Sequence, residues 1–163
     1  MATTNNFTYK YDCSIDHSIM SVIASVERHN KREVGYPYLI SFNNSFDADE
    51  IREFIPDLKW LDNRTIDCIN SESCVELFVT LKELHITNID SGAYQINYKW
   101  HKYNDETYFN LKKSYIAACS IITHNIEVYG YSWDSIARYH SYTKSLREKY
   151  LKYISKILIK DKH

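Results

Sequence analysis

Only three glycines and two prolines punctuate this chain of 163 residues. Tight turns lean on those two residue types, because glycine reaches positive φ without steric cost and proline presets φ near the turn value. So small a supply leaves little room for turn-rich β architecture and points towards helices. The length suits one domain with a hydrophobic core of its own. Fifteen tyrosines stand among the 44% of residues that are hydrophobic, so many apolar faces end in a hydroxyl.

Hydrophobic spacing supplies the elements. Ser14 is placed to cap a helix whose positions Ile15, Ile19, Val22, Ile23 and Val26 keep helical periodicity, with Glu27 closing the pattern. Residues 35–42 read as extended, followed by a turn at Asn43 and Asn44. Asp47 with Glu50, and Ser73 with Glu76, have capping-box spacing, and Pro56 should end or kink the first of these helices. Cys74, Leu77, Phe78, Leu81 and Leu84 share a face of the second, and a polar turn is expected at 88–92. Leu111 through Tyr129 mark a long helix that Gly130 stops. Ser132 caps a short helix through Ala137, and Leu146, Tyr150, Ile154 and Ile157 define the last one. The expected architecture is an α-rich α+β domain over residues 14–163 with one small β hairpin, after an N-terminal extension at 1–13.

Several chemistries find no footing. A formal net charge of -1 offers no basic footprint for nucleic acid, and no stretch approaches the ~20 apolar residues of a membrane helix. There is no glycine-rich phosphate loop, no His-Glu-x-x-His helix among seven histidines, and no Cys-x-x-Cys spacing. The expectation is a chain working without metal or cofactor. A Cys–His nucleophilic pair carries little information, since four cysteines and seven histidines always permit one. Cys13, Cys68, Cys74 and Cys119 allow three pairings if oxidised, and Cys68 with Cys74 is near enough to staple one loop. The pairing Cys68–Cys74 with Cys13–Cys119 is favoured, beside the alternative of four reduced, buried thiols.

Three segments carry more specific meaning in their order: Glu27 at a helix end, Gly92-Ala93-Tyr94-Gln95-Ile96-Asn97, and Ala137-Arg138-Tyr139-His140-Ser141. Together they resemble the catalytic domain of the lytic transglycosylases, SLT-type members of the lysozyme-like superfamily that cleave peptidoglycan (murein) in the cell wall. In that superfamily a glutamate ends the first core helix, a Gly-x-x-Gln-x-Asn stretch lines the cleft and an Ala-x-Tyr-like motif begins a late helix. Tyr36-Pro37-Tyr38 and Arg138-Tyr139-His140-Ser141 are most similar to the branch associated with conjugation, secretion and pilus machines. The similarity spans about residues 14–158. Arg28 replaces the serine that commonly follows the glutamate, and Ala93-Tyr94 replaces the usual Leu-Met.

The resemblance implies a lysozyme-like fold and a lyase. Glu27 would be the single catalytic acid, with Gln95, Asn97, Tyr139, Ser41, Tyr94 and His140 as residues against substrate. Local chemistry agrees at position 27: burial beside Ile23 and Val26 and the negative end of a helix both raise a carboxyl pKa, as a general acid requires. Arg28 and Lys31 would oppose that if turned inward. Asp90 is the one nearby acid to weigh as a second carboxylate, with organisation of a turn as its plainer role. Peptidoglycan glycan strands would be the partner, with an envelope machine beside them and no nucleic acid. The implied compartment is the periplasm or another extracytoplasmic space, where disulfides form. Met-Ala-Thr-Thr-Asn-Asn lacks the regions of a secretion signal, so export implies a signal already removed. The alternatives are a hydrolytic muramidase on the same fold and a catalytically silent wall-binding or assembly module.

Overall fold

A computed structural model of the chain describes residues 11–160. The fold is α-rich α+β, about 53% helical with one small antiparallel sheet. Most of the expected N-terminal extension, residues 1–10 with any trace of a signal, lies outside the described residues. The chain divides into two compact units: Met1–Glu27 with Tyr115–His163, whose described residues are mainly helical, and Arg28–Ser114, which holds the sheet.

In the helical unit, α1 runs over His17–Glu27. It starts later than Ser14 because Asp16, not Ser14, caps it: the Asp16 carboxylate accepts from the Ser18 amide at 2.8 Å, and Ser14 instead meets Thr123 at 3.3 Å. α4 (Leu111–Tyr129) contributes the part from Tyr115 onward and ends at Gly130, whose φ of 92° a side chain rarely adopts. Ser132 caps α5 (Trp133–Ala137) by accepting from the Ser135 amide at 3.1 Å. α6 (Lys144–Lys160) packs on α1 and α5. Met20, Ile23, Ala118, Ile122, Tyr150 and Ile154 are buried there. Cys13 is joined to Cys119 of α4, with Cα atoms 6.2 Å apart, and so ties the start of the described chain to that helix.

The sheet unit departs further from expectation. Instead of a hairpin it contains five strands in the order β2-β3-β1-β4-β5: β1 (Leu39–Phe42), β2 (Lys59–Trp60), β3 (Thr65–Asp67), β4 (Ile89–Ser91) and β5 (Ile96–Asn97). The stretch expected as a turn at 88–92 is therefore largely strand, because β4 pairs with β1 and the turn falls after it, at 92–95. Gly92 opens that turn with φ 83°, and a Cβ there would collide with the backbone carbonyl of Tyr108. Ile40, Ile66 and Ile96 are buried and lie on one sheet face, to which Phe42 and Trp60 add a stacked pair 5.7 Å apart.

Two helices complete this unit. α2 (Ser45–Phe54) is capped by Asn44 and stops just before Pro56; α3 (Ser71–Glu83) is capped by Asn70. Both starts correct the expected capping boxes, because asparagine side chains one turn earlier take the free amides. Cys68 and Cys74 are joined, with Cα atoms 5.0 Å apart, which closes the loop around the α3 cap. Both disulfides match the favoured pairing, and no cysteine is free. No described helix is long and apolar enough to cross a membrane.

Candidate functional site

Glu27 is the last residue of α1 and is half-buried. Its nearest characterised surroundings come from α6 and the turn before it. The Tyr150 ring is 2% exposed. Burial drives its hydroxyl well above the ordinary tyrosine range, and the negative charge of Glu27 and the Tyr139 phenol push it further the same way. The Glu27 carboxylate is one of the groups that face this buried hydroxyl. One carboxylate and two phenols thus share a partly dry environment in the helical unit.

The turn that carries Tyr139 and His140 is held by a chain of polar contacts. Arg138 lies over the Tyr129 ring at 3.8 Å from its centroid and reaches the Tyr142 ring at 5.9 Å. Asp134 accepts from Arg147 at 2.8 Å, and Arg147 also donates to the Tyr142 carbonyl at 2.8 Å. The Tyr142 hydroxyl donates to Asn125 at 3.1 Å. Tyr139 is half-buried, while His140 is exposed and lies parallel to Tyr150, ring centroids 4.7 Å apart. This places His140 against Tyr150, so the helix-end histidine acts on the same cluster as Glu27 and Tyr139.

The sheet unit holds the other candidates. Register sets Thr65 opposite Ser41, Ser41 opposite Asp90, and Asp90 opposite Asn97. Directly paired residues share a sheet face, so these four side chains form one polar row across β3, β1, β4 and β5. Ser41 meets Thr65 at 3.0 Å, hydroxyl to hydroxyl, and both are buried. Asn97 donates to Asp90 at 2.9 Å and to Asn88 at 3.0 Å, while its own carbonyl oxygen is buried with no protein partner among the described residues. Burial raises the Asp90 carboxyl above its ordinary value, although Asn97, Asn43 and the Arg64 guanidinium 4.0 Å away all pull it down. Asp90 keeps 19% of its side-chain surface, so the raised carboxyl is still within reach of solvent.

Gln95 does a different job. It sits at φ 47° in the 92–95 turn and donates from Nε2 to the Gly92 carbonyl at 2.9 Å. The Tyr94 ring is wholly buried, which places its bulk in the core of the sheet unit. Arg28 donates to the Arg32 carbonyl and Lys31 to the Leu61 carbonyl. Asp67 forms a buried ion pair, accepting from Arg32 at 2.6 Å and from the Tyr36 hydroxyl at 2.8 Å. Burial pushes the Asp67 carboxyl up, but the Arg32, Ile69 and Tyr36 hydrogen bonds outweigh it and hold it below the usual range.

Two residues of these clusters were not singled out in the sequence. Tyr150 looked like one more position of an apolar helical stripe, and only its hydroxyl set it apart. Thr65 had no local signal at all, since its place beside Ser41 depends on strand pairing. Among the described residues no group of three or more His, Cys, Asp or Glu is arranged to hold a metal ion. No family model matches this chain, and no curated protein or solved structure matches it either.

Proposed function

We propose that this chain is a lysozyme-like peptidoglycan lytic transglycosylase, with Glu27 as its single catalytic acid and base. The observation that carries the reading is the placement of Glu27: it ends α1, half-buried, and faces the buried Tyr150, on which Tyr139 of the Arg-Tyr-His-Ser run also acts. The end of the first core helix is where the resemblance expects the catalytic glutamate. The motifs that follow it in the sequence supply the family resemblance.

The chemistry follows from one carboxyl group. Glu27 gives its proton to the oxygen between N-acetylmuramic acid and N-acetylglucosamine as the bond to the anomeric carbon breaks. The substrate's own acetamido group supports the positive charge that develops, the substrate-assisted exception to a two-carboxylate scheme. Glu27, now a carboxylate, takes the proton from the muramic acid 6-hydroxyl while that oxygen bonds to the anomeric carbon. The product is a 1,6-anhydro ring, and no water is consumed. Tyr150 and Tyr139 serve as hydroxyls beside the carboxylate in each of its two charge states. Ser41, Asn97 and Asp90 offer donors and acceptors suited to sugar hydroxyls and amides.

The function places the protein outside the cytoplasm, working on glycan strands next to an envelope secretion, conjugation or pilus machine. Two disulfides favour that compartment. Glu27→Gln tests the assignment: it keeps the size and polarity of the side chain but removes the acid, so muropeptide release from purified peptidoglycan should fall by roughly 10²–10⁴-fold. Near-wild-type release by that variant would end the assignment of Glu27.

A further inference from the structure

Beyond the edge strand β5 the chain makes a short turn over residues 98–103 that is pinned from several sides. The Tyr98 amide donates to the Ile89 carbonyl at 3.0 Å, and the His101 amide donates to the Asn97 carbonyl at 2.9 Å. The Tyr108 hydroxyl donates to the His101 carbonyl at 2.6 Å and accepts from the Tyr103 amide at 2.9 Å. Tyr98 packs edge-on against Phe78 at 5.1 Å, and Tyr103 against Tyr108 at 6.1 Å. An aromatic base therefore fixes the turn from beneath.

On that fixed turn Trp100 is 71% exposed. Lys99 places its ammonium 5.1 Å from the Trp100 ring centroid, and Lys102 places its own 5.3 Å from the Tyr98 ring. Among the described residues neither ammonium is paired with a carboxylate, whereas the neighbouring Lys82 is paired with Asp105 at 2.5 Å. An exposed indole on a rigid turn is a preorganised contact, because little ordering remains to be done when a ligand arrives. Tryptophan is also the residue type on which binding energy most often concentrates.

We propose that Trp100, Lys99 and Lys102 form a binding subsite for the carboxylate-bearing part of a peptidoglycan strand. The flat indole takes the apolar face of a pyranose ring, and the two ammonium groups, one of which also donates to the Lys99 carbonyl at 3.3 Å, take carboxylates of the attached peptide stem. This rests on the peptidoglycan reading above and adds to it which part of the polymer the sheet unit holds. Two cations without a carboxylate partner among the described residues fit a few carboxylates; the chain as a whole, at net charge -1, offers no broad basic face of the kind nucleic acid takes. The subsite begins at Lys99, two residues after Asn97 of the edge strand β5.

The test is co-sedimentation of the full, oxidised chain with intact peptidoglycan and with the same material stripped of its peptide stems by an amidase, in short incubations on ice. Trp100→Ala should weaken binding to both by on the order of tenfold, the scale of a truncated hot-spot aromatic, and Trp100→Phe should restore part of it. Lys99→Ala with Lys102→Ala should weaken binding to the stem-bearing polymer by roughly threefold, and by less to the stripped glycan, which keeps a single lactyl carboxylate on each muramic acid, with both losses fading in high salt. Unchanged binding by Trp100→Ala, with wild-type cleavage intact, would overturn the subsite and leave the enzyme assignment standing. Failure of the wild type to bind or cleave either polymer would overturn both. Equal retention on single-stranded DNA, lost in Trp100→Ala, would reassign the surface to polyanions and overturn the proposal.

Discussion

The two units each hold a carboxylate in a partly dry setting, and the contrast between them shows what neighbours do to an acid. Glu27 in the helical unit stands near the buried Tyr150 and near Tyr139, whose hydroxyls are weak acids with no positive charge to offer. Asp90 in the sheet unit has amide and guanidinium neighbours instead: Asn97 donates to it, Arg64 is 4.0 Å away, and the pairing of β4 with β1 and β5 fixes its backbone. A group that must give up and take back a proton is better served by the first setting. A group that must hold still and accept hydrogen bonds is better served by the second.

Substituting both acids is the sharpest way to break that contrast. If the proposed roles hold, Glu27→Gln lowers kcat by roughly 10²–10⁴-fold, while Asp90→Asn acts mainly on KM, with kcat kept, as loss of uniform binding does. Steady-state rates of muropeptide release decide it. Equal losses of kcat from the two variants would erase the distinction and revive Asp90 as a second carboxylate.

Disulfide removal comes next in size. Cys13–Cys119 closes 106 residues and Cys68–Cys74 only 6. On chain-entropy grounds the first is worth about 4.7 kcal/mol and the second about 2 kcal/mol. Denaturant unfolding of the Cys13→Ser/Cys119→Ser and Cys68→Ser/Cys74→Ser pairs should rank in that order, and the wild type, denatured without reductant, should titrate no free thiol.

Glycine offers the same comparison at smaller scale. Both Gly92 and Gly130 sit at positive φ, but a Cβ at Gly92 meets the Tyr108 carbonyl and one at Gly130 meets nothing within 4 Å. Gly130→Ala should cost about 1 kcal/mol from backbone conformation alone. Gly92→Ala should cost roughly 3 kcal/mol or more, since backbone must move.

The smallest effect is on acid stability, and it has opposite signs at two residues of one sheet. Asp67 is held below its ordinary value, so its contribution is present above the unfolded carboxylate range, about pH 3.9, and is lost as pH falls through its folded value. Asp90 is raised, so it favours the folded state at low pH and loses that advantage as pH climbs through its folded value. Asp67→Asn should therefore flatten the acid limb of a thermal-stability profile, and Asp90→Asn should steepen it slightly.

The helical unit was far more legible in the sequence than the sheet unit, for a physical reason. The stop of α4 at Gly130, the Ser132 cap and the stripe of α6 are local signals, each complete within a few residues. The five strands are two to four residues long, too short for alternation to announce them, and pairing with distant partners makes them. Hence 88–92 looked like a turn, and the polar row of Thr65, Ser41, Asp90 and Asn97 could not be assembled from spacing. Ser41 and Asn97 were singled out one at a time, and only register shows that they share a face with Asp90. Tyr150 was hidden for the opposite reason: its helical position was plain, and its apolar neighbours masked the importance of the hydroxyl.

The central claim concerns the product more than any residue. Digestion of purified peptidoglycan by the oxidised chain, followed by mass spectrometry of the released muropeptides, reads it directly. Muramic acid ends in the 1,6-anhydro form, one water lighter than reducing ends, are the expected result. Reducing ends alone would make the protein a hydrolase, and no release by soluble, folded protein from several wall types would contradict an enzymatic role altogether.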